Sequence, residues 1–311
     1  MAEKQVFNFG DRDRRSVKVD RVTKENLLGR GSYKKVYGAK VEGDDREFVL
    51  SEFNDNFDAE DSTLEYKFAY QLAKFDIASV PTYIQIGKDK TLFLPTERVL
   101  SDKIKLSKGA EFLTLKLICG DDMIRALRGY PEFFKKLREL YSELIDITET
   151  VYTDTKVGNV CYDPTSGKIK IVDVDKQFFP KLSKEMIVNQ KEQWLDYMIF
   201  QTWVIEYNTP GIQIELADSG LDELKVKTML QVLINTKDNF AGKTPILNLC
   251  WYSSHTDEEF RVLQTKFIKN GPDAMYKYII FGYSGIFSGG RRRTIRRKQS
   301  KKRKTRKNGK K

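Results

Sequence analysis

Tyr152 to Asp175 reads YTDTKVGNVCYDPTSGKIKIVDVD. Asp154, Lys156 and Asn159 lie in a short polar loop. Val160-Cys161-Tyr162 is a short strand, and Asp163 to Gly167 is built from residues that turns use. Ile169 to Val172 places apolar residues at alternate positions and predicts a second strand. That strand ends on Asp173, with Asp175 two residues later. A hairpin of this kind brings Asn159 and Asp173 to the same end. Two oxygen ligands at the mouth of one hairpin form a seat for a hard divalent cation such as Mg²⁺. Asp154 stands five residues before Asn159, where a carboxylate can meet a substrate proton.

Working outward, Leu27 to Lys40 (LLGRGSYKKVYGAK) alternates apolar and polar residues around a glycine turn, as a hairpin does. Glu42 to Asp45 is a tight turn and Arg46 to Phe53 a third strand. Residues 1–20 read as a loosely held lead-in. Gly29 and Gly31 let the backbone approach phosphate oxygens that a side chain would block. The bland reading of such a G-x-G is an ordinary hairpin turn. It is no Walker loop, and Gly242-Lys-Thr244 has Lys237 where the first glycine of such a loop should stand. The strand period puts Lys34 on the face of Val36 and turns Lys35 away. Ser62 to Lys74 predicts a helix with Ser62 as N-cap and Glu65 at N3. Val80 to Ile86 and Thr91 to Glu97 predict two strands around Gly87 to Lys90, while Ser101 to Ile118 gives no clear element. Pro131 to Val151 predicts a long helix with Phe134, Leu137, Leu140, Leu144 and Ile147 on one stripe. Gln193 to Trp203 is an apolar helix carrying one acid, Asp196. Further helices follow Gly211; Pro245 to Tyr252 is strand-like, and His255 reads as a surface residue in a polar loop.

The central stretch resembles the catalytic loop and metal-binding strand of protein kinases, H-R-D-x-K-x-x-N followed by a hairpin and D-F-G. Here it is Y-T-D-T-K-V-G-N and then D-V-D. The loop at Gly29 is similar to the kinase glycine-rich loop, G-x-G-x-x-G-x-V, with Lys34 at its third glycine. Ser51 stands where the family carries a lysine on the third strand. With-No-Lysine kinases show this same relocation, and the loop here, G-R-G-S-Y-K, is similar to theirs. The resemblance runs from about Leu27 to Trp203. It implies an α+β fold of two lobes, a small antiparallel β lobe with one helix over residues 21–97 and a mainly helical lobe over 98–288.

It implies roles as well. Asp154 accepts or orients a substrate hydroxyl and Lys156 steadies the transferred phosphoryl group. Asn159 and Asp173 hold Mg²⁺. Gly29, Gly31, Lys34, Val36, Val49 and Cys161 surround ATP, and Glu65 orients the lysine, with Glu60 as fallback. Thr96 is the gatekeeper, with the backbones of Glu97 and Val99 on the base edge. Asp196 braces the catalytic loop from within, against the alternative of an exposed helix acid. Lysine two residues after the acid resembles serine/threonine kinases. Thr153, in place of the family's Arg, and a short segment after Asp175 predict no activation by loop phosphorylation. The missing A-P-E leaves a small-molecule or lipid hydroxyl beside a protein substrate.

The net charge is +11, yet Arg291 to Lys311 alone holds 14 Lys/Arg and no acid, so the remainder is near about −3. Residues 289–311 cannot build a core and read as a disordered tail for nucleic acid or an acidic surface, or as a solubilising end. Such tails on divergent kinases look like those of large DNA viruses. Cys119, Cys161 and Cys250 are widely spaced without metal spacing. An odd count with a polar N-terminus predicts an intracellular, reducing setting, in cytoplasm or nucleus, or a virion for a viral protein. No apolar run reaches the ~20 residues of a membrane span. Two rivals stand beside an ATP-dependent phosphotransferase. One is a pseudokinase that binds nucleotide without turnover, favoured by Tyr152, Ser51 and Asp175. The other is a nucleotide-sugar transferase using D-V-D as its metal motif.

Overall fold

The computed structural model describes residues 4–5, 8–9, 22–30, 34–53, 59–85, 91–93, 110–209, 211–236, 245–254 and 256–281. The chain divides into two compact units, Met1–Lys181 and Leu182–Lys311. The class is α+β, an antiparallel sheet region followed by a mainly helical part. The expected lobe boundary at residues 97–98 and the tail from 289 lie outside the described residues.

In the first unit the strands are β1 (Lys4–Gln5), β2 (Asn8–Phe9), β3 (Val22–Arg30), β4 (Lys34–Val41), β5 (Asp44–Phe53), β6 (Tyr83–Gln85), β7 (Thr91–Phe93) and β8 (Glu111–Leu115). They form one sheet in the order β1-β3-β4-β5-β8-β6-β7-β2. All pairings are antiparallel except β2 with β7. The alternation in β4 and β5 sorts side chains as it predicts. Ala39, Val41, Phe48 and Leu50 turn into a core with Val22, Tyr83 and Leu113. Lys34, Val36, Val49 and Ser51 share the opposite, half-buried face. Two short strands, β1 and β2, occupy the expected lead-in, each adding to an edge of the sheet.

Helix α1 (Ala59–Ala73) packs on the face that carries Ser51, through Tyr66 against Phe53 and Phe112. It begins three residues before Ser62, so Ser62 is not its N-cap and Glu65 lies in its second turn. Acids and alanine around 59–61 propagate the helix as readily as the serine could cap it. After β9 (Ile118–Cys119) come α2 (Gly120–Ala126) and α3 (Tyr130–Thr148). Pro131 lies in the first turn of α3, and Glu149, at φ 57, ends it in the left-handed region. Phe134, Leu137, Leu140 and Leu144 are buried as the stripe requires, and Ile145 rather than Ile147 completes it. A second sheet, β11-β10-β9, contains the hairpin of β10 (Val160–Asp163) and β11 (Lys168–Ile171). It meets the turn after α1 through Ser79 N–H to Ile171 O and Ile171 N–H to Ile77 O, at 2.8 and 2.9 Å.

The second unit holds α4 (Lys184–Tyr207), α5 (Glu223–Asn235), α6 (Pro245–Tyr252), α7 (Asp257–Val262), α8 (Ile268–Asn270) and α9 (Pro272–Phe281). Helix α4 is buried all round from Trp194 to Val204, as an apolar helix without a polar face must be. Asp196 lies within it at 5% exposure, which removes the exposed reading. Pro245 to Tyr252 is a helix, not a strand. A short run whose one polar side chain is Asn248 has too little period to separate the two, and proline favours the first helical turn.

Candidate active site

The site is built on the β10–β11 hairpin. Its register, Val160 opposite Ile171 through Asp163 opposite Lys168, is fixed by a turn in which Gly167 adopts φ 70. Asp163 accepts from Thr165 N–H at 2.9 Å and pairs with Lys170 at 2.7 Å. Burial pushes the Asp163 carboxyl up, but the Lys170 ammonium and the Thr165 amide outweigh it and bring it down to about 2. At the other end a single 3-10 turn, Val157–Asn159, carries the chain into β10. Val172 N–H donates to Asn159 O at 2.9 Å, so Asn159 and Asp173 do stand at the same end of the hairpin.

Asn159 is 3% exposed and its amide nitrogen faces inward. Nδ2 lies 2.6 Å from Asp154 Oδ2, 3.0 Å from Asp154 O and 3.0 Å from the Tyr152 hydroxyl. Its carbonyl oxygen therefore lies on the other side of the amide group, away from those partners. Lys156 Nζ is 3.3 Å from Asp154 Oδ2, and Lys156 is half exposed while Asp154 is 14% exposed. Asp154, Lys156 and Asn159 thus form one contact group, as the spacing predicts.

Tyr152 takes the place of the pattern's histidine and joins the two halves of the site. Its hydroxyl donates to Asp173 O at 3.1 Å while accepting from Asn159. Burial, then the nearby Asp154 carboxylate, push the Tyr152 phenol far up, so it keeps its proton. Its ring stacks on Phe179 at 4.8 Å, and Phe179 meets Phe68 of α1 edge-on at 5.0 Å. Phe179 stands six residues after Asp173, whereas the residue directly after Asp173 is Val174. Asp175, in place of the glycine, is the N-cap of a 3-10 turn, Lys176–Phe178, and accepts from Gln177 N–H at 3.0 Å. Its φ of −114 needs no glycine. The following segment is stitched to the loop that carries Asp154: Thr153 N–H and Oγ1 both reach Phe178 O, at 2.9 and 3.2 Å, and Val151 N–H donates to Pro180 O at 3.1 Å.

On the sheet above, Val36 pairs opposite Ser51 and Lys34 opposite Phe53. Lys34 Nζ lies 3.7 Å from Asp173 Oδ1, with side-chain exposures of 38% and 58%. The lysine expected from β4 therefore meets Asp173, which follows β11. A Cβ added at Gly29 meets no atom within 4 Å, so the backbone there faces open space. Val36 and Val49 lie on the same half-buried face. Gly31, Thr96, Glu97 and Val99 lie outside the described residues.

The strand beside β5 is β8, not the predicted Thr91–Glu97 strand, whose described part, β7, stands beyond β6. Beyond β8 the chain passes through Lys116 and Leu117 into β9, which pairs with β10 at Cys119–Cys161 and Ile118–Tyr162. The passage between the two sheets thus runs through 115–118. Leu113, Leu115 and Leu117 alternate with Thr114 and Lys116, a strand signal as good as that of residues 91–97. Cys119 and Cys161 are joined by a disulfide, and Cys250 is free and buried. That pairing departs from the reduced cysteines expected from their count. A separation of 42 residues hides it from any local pattern.

The donor set at Asn159 and Asp173 is two hard oxygens, which suits Mg²⁺, an ion that keeps several waters. Among the described residues no group of three or more His, Cys, Asp or Glu gathers around a common point. No family model matches the chain, and no curated protein does. Among solved structures it is similar to "ROP18 kinase domain in complex with AMP-PNP and sucrose", at 14% identity and a TM-score of 0.39, with 82% of each chain covered.

Proposed function

We propose that the protein is an ATP-dependent phosphotransferase with a protein-kinase-like site. The observation that carries this reading is the approach of Lys34 Nζ to Asp173 Oδ1 at 3.7 Å, over a loop in which Asp154, Lys156 and Asn159 already touch. A lysine and an aspartate from separate sheets meet at the spot where the phosphates of a nucleotide need a positive charge and a metal ligand.

In this reading Asp154 receives or orients the acceptor hydroxyl's proton as the new oxygen–phosphorus bond forms. The bond from the γ-phosphorus to the bridging oxygen breaks, and ADP leaves with that oxygen. Lys156 and Lys34 hold positive charge against the oxygens of the transferred group. Asn159 and Asp173 would hold Mg²⁺, which when bound neutralises phosphate charge. Val36, Val49 and Cys161 would line the base site. The backbone from Lys116 to Ile118 would meet the base edge, in place of Glu97 and Val99. The residues that favoured a module without turnover have structural partners here: Tyr152 bridges Asn159 and Asp173, and Asp175 caps a turn. The acceptor is a serine or threonine hydroxyl, by the likeness of D-x-K, with small-molecule or lipid hydroxyls as the other class. The basic tail, 291–311, would hold nucleic acid or an acidic surface. No helix among the described residues is long and apolar enough to cross a membrane.

The test is transfer of radiolabel from ATP with Mg²⁺ to a protein mixture and to a set of hydroxylated small molecules, wild type beside Asp154→Asn. Label that depends on Asp154 supports the reading. Nucleotide binding without any transfer decides for the pseudokinase, and use of a nucleotide sugar for the third class.

A further inference from the structure

We propose that Cys119 and Cys161 form a reversible thiol–disulfide site that sets the protein's affinity for nucleotide; this rests on the reading that the backbone from Lys116 to Ile118 meets the base edge. Cys161 lies in β10, two residues after Asn159, and is 1% exposed. Cys119 ends β9 and is exposed. The bond therefore ties the end of the passage from the main sheet to the strand that issues from the catalytic loop. Apart from the bond, β9 is held to β10 over only two residue pairs, Cys119–Cys161 and Ile118–Tyr162. So short a pairing contributes little, and the disulfide is the covalent tie between the end of that passage and Cys161.

The two sulfurs differ in access, which gives the exchange a direction. A thiolate of a small dithiol attacks the exposed Cys119 sulfur and forms a mixed disulfide there. Cys161 leaves as a thiolate and takes up a proton. The dithiol's second thiol then closes its own disulfide, and Cys119 leaves with a proton. Two electrons pass from dithiol to protein, and a small-molecule disulfide reverses the steps. Cys250 does not compete, because it is buried in the second unit and burial pushes its thiol up to about 12. The oxidised form holds the base site assembled. The reduced form must order it on binding and is weakened by that fraction.

The experiment uses the full chain, treated either with oxidised glutathione or with dithiothreitol. Thiols are counted by alkylation after denaturation, and AMP-PNP with Mg²⁺ is titrated into each form. The expected result is one thiol and tight binding after oxidation, and three thiols and binding weaker by on the order of tenfold after reduction. Cys119→Ser should bind like the reduced form in both conditions, and Cys250→Ser should respond like wild type. Three thiols after oxidation, or equal affinity in the two forms, overturns the proposal and leaves the phosphotransferase reading standing. One thiol with no nucleotide binding in either form overturns both.

Discussion

Replacing Lys34 with methionine separates stability from chemistry. The change keeps bulk and unbranched shape and removes one positive charge. The partner, Asp173 Oδ1, is 3.7 Å away and both groups are part-exposed. In a water-like dielectric that separation is worth about 1 kcal/mol, and exposed pairs typically contribute ~0–1 kcal/mol to folding. Denaturant unfolding of Lys34→Met should therefore lie within about 1 kcal/mol of wild type. Turnover should behave differently. A fixed charge aimed at a transferring phosphoryl group is worth ~10²-fold or more in rate, about 2.7 kcal/mol. The assay is steady-state ATP turnover with Mg²⁺, run beside Lys35→Met and Lys40→Met. Lys35 lies on the opposite face of β4, and Lys40 pairs with Glu25 at 3.0 Å, so both variants should turn over like wild type. A double change, Lys34→Gly with Ser51→Lys, moves the charge to the neighbouring strand and should recover part of the rate. Wild-type turnover by Lys34→Met would refute the relocation, and with it the role given to the 3.7 Å contact.

Asp173→Ala should abolish Mg²⁺-dependent turnover, whereas Asp175→Gly should keep it and lose about 1 kcal/mol of stability with the cap; the reverse pattern in a turnover and unfolding series reverses the two assignments. Tyr152→Phe removes a hydroxyl bonded on both sides, and should cost about 1–2 kcal/mol in denaturant unfolding while leaving the ring stack on Phe179. Asp163 has a folded value of about 2 against an ordinary 3.8, so its contribution is present above pH 3.8 and lost as pH falls through about 2. The stability advantage of wild type over Asp163→Asn should shrink across that window in acid-unfolding curves. Deleting residues 291–311 should leave nucleotide binding intact and remove salt-sensitive retention on a nucleic-acid column, an outcome read directly from the two elution profiles.

The 152–175 stretch was legible as structure because a hairpin enforces its spacings. Asp154 meets Asn159, and Asn159 and Asp173 stand at the same end of the hairpin, by local geometry alone. The face of Lys34 was legible for a related reason: a period of two fixes it, and Val36 and Ser51 lie on the same face. Strand neighbours were harder. Residues 91–97 and 111–117 alternate equally well, and which of them lies beside β5 depends on pairing across some 60 residues, which no local pattern carries. The Cys119–Cys161 bond was hidden likewise, by a separation of 42 residues. Phe179 was hidden differently, since a ring displaced along the chain from its expected slot shows itself only by what it stacks upon. Helix α6 was ambiguous in principle, because eight residues with Asn248 as their one polar side chain contain too little period to read.

The segment from Lys176 to Lys181 is held by backbone bonds to Val151 and Thr153 and by a threonine hydroxyl, all of them groups the chain carries from the moment it is made. Nothing has to be added to order it.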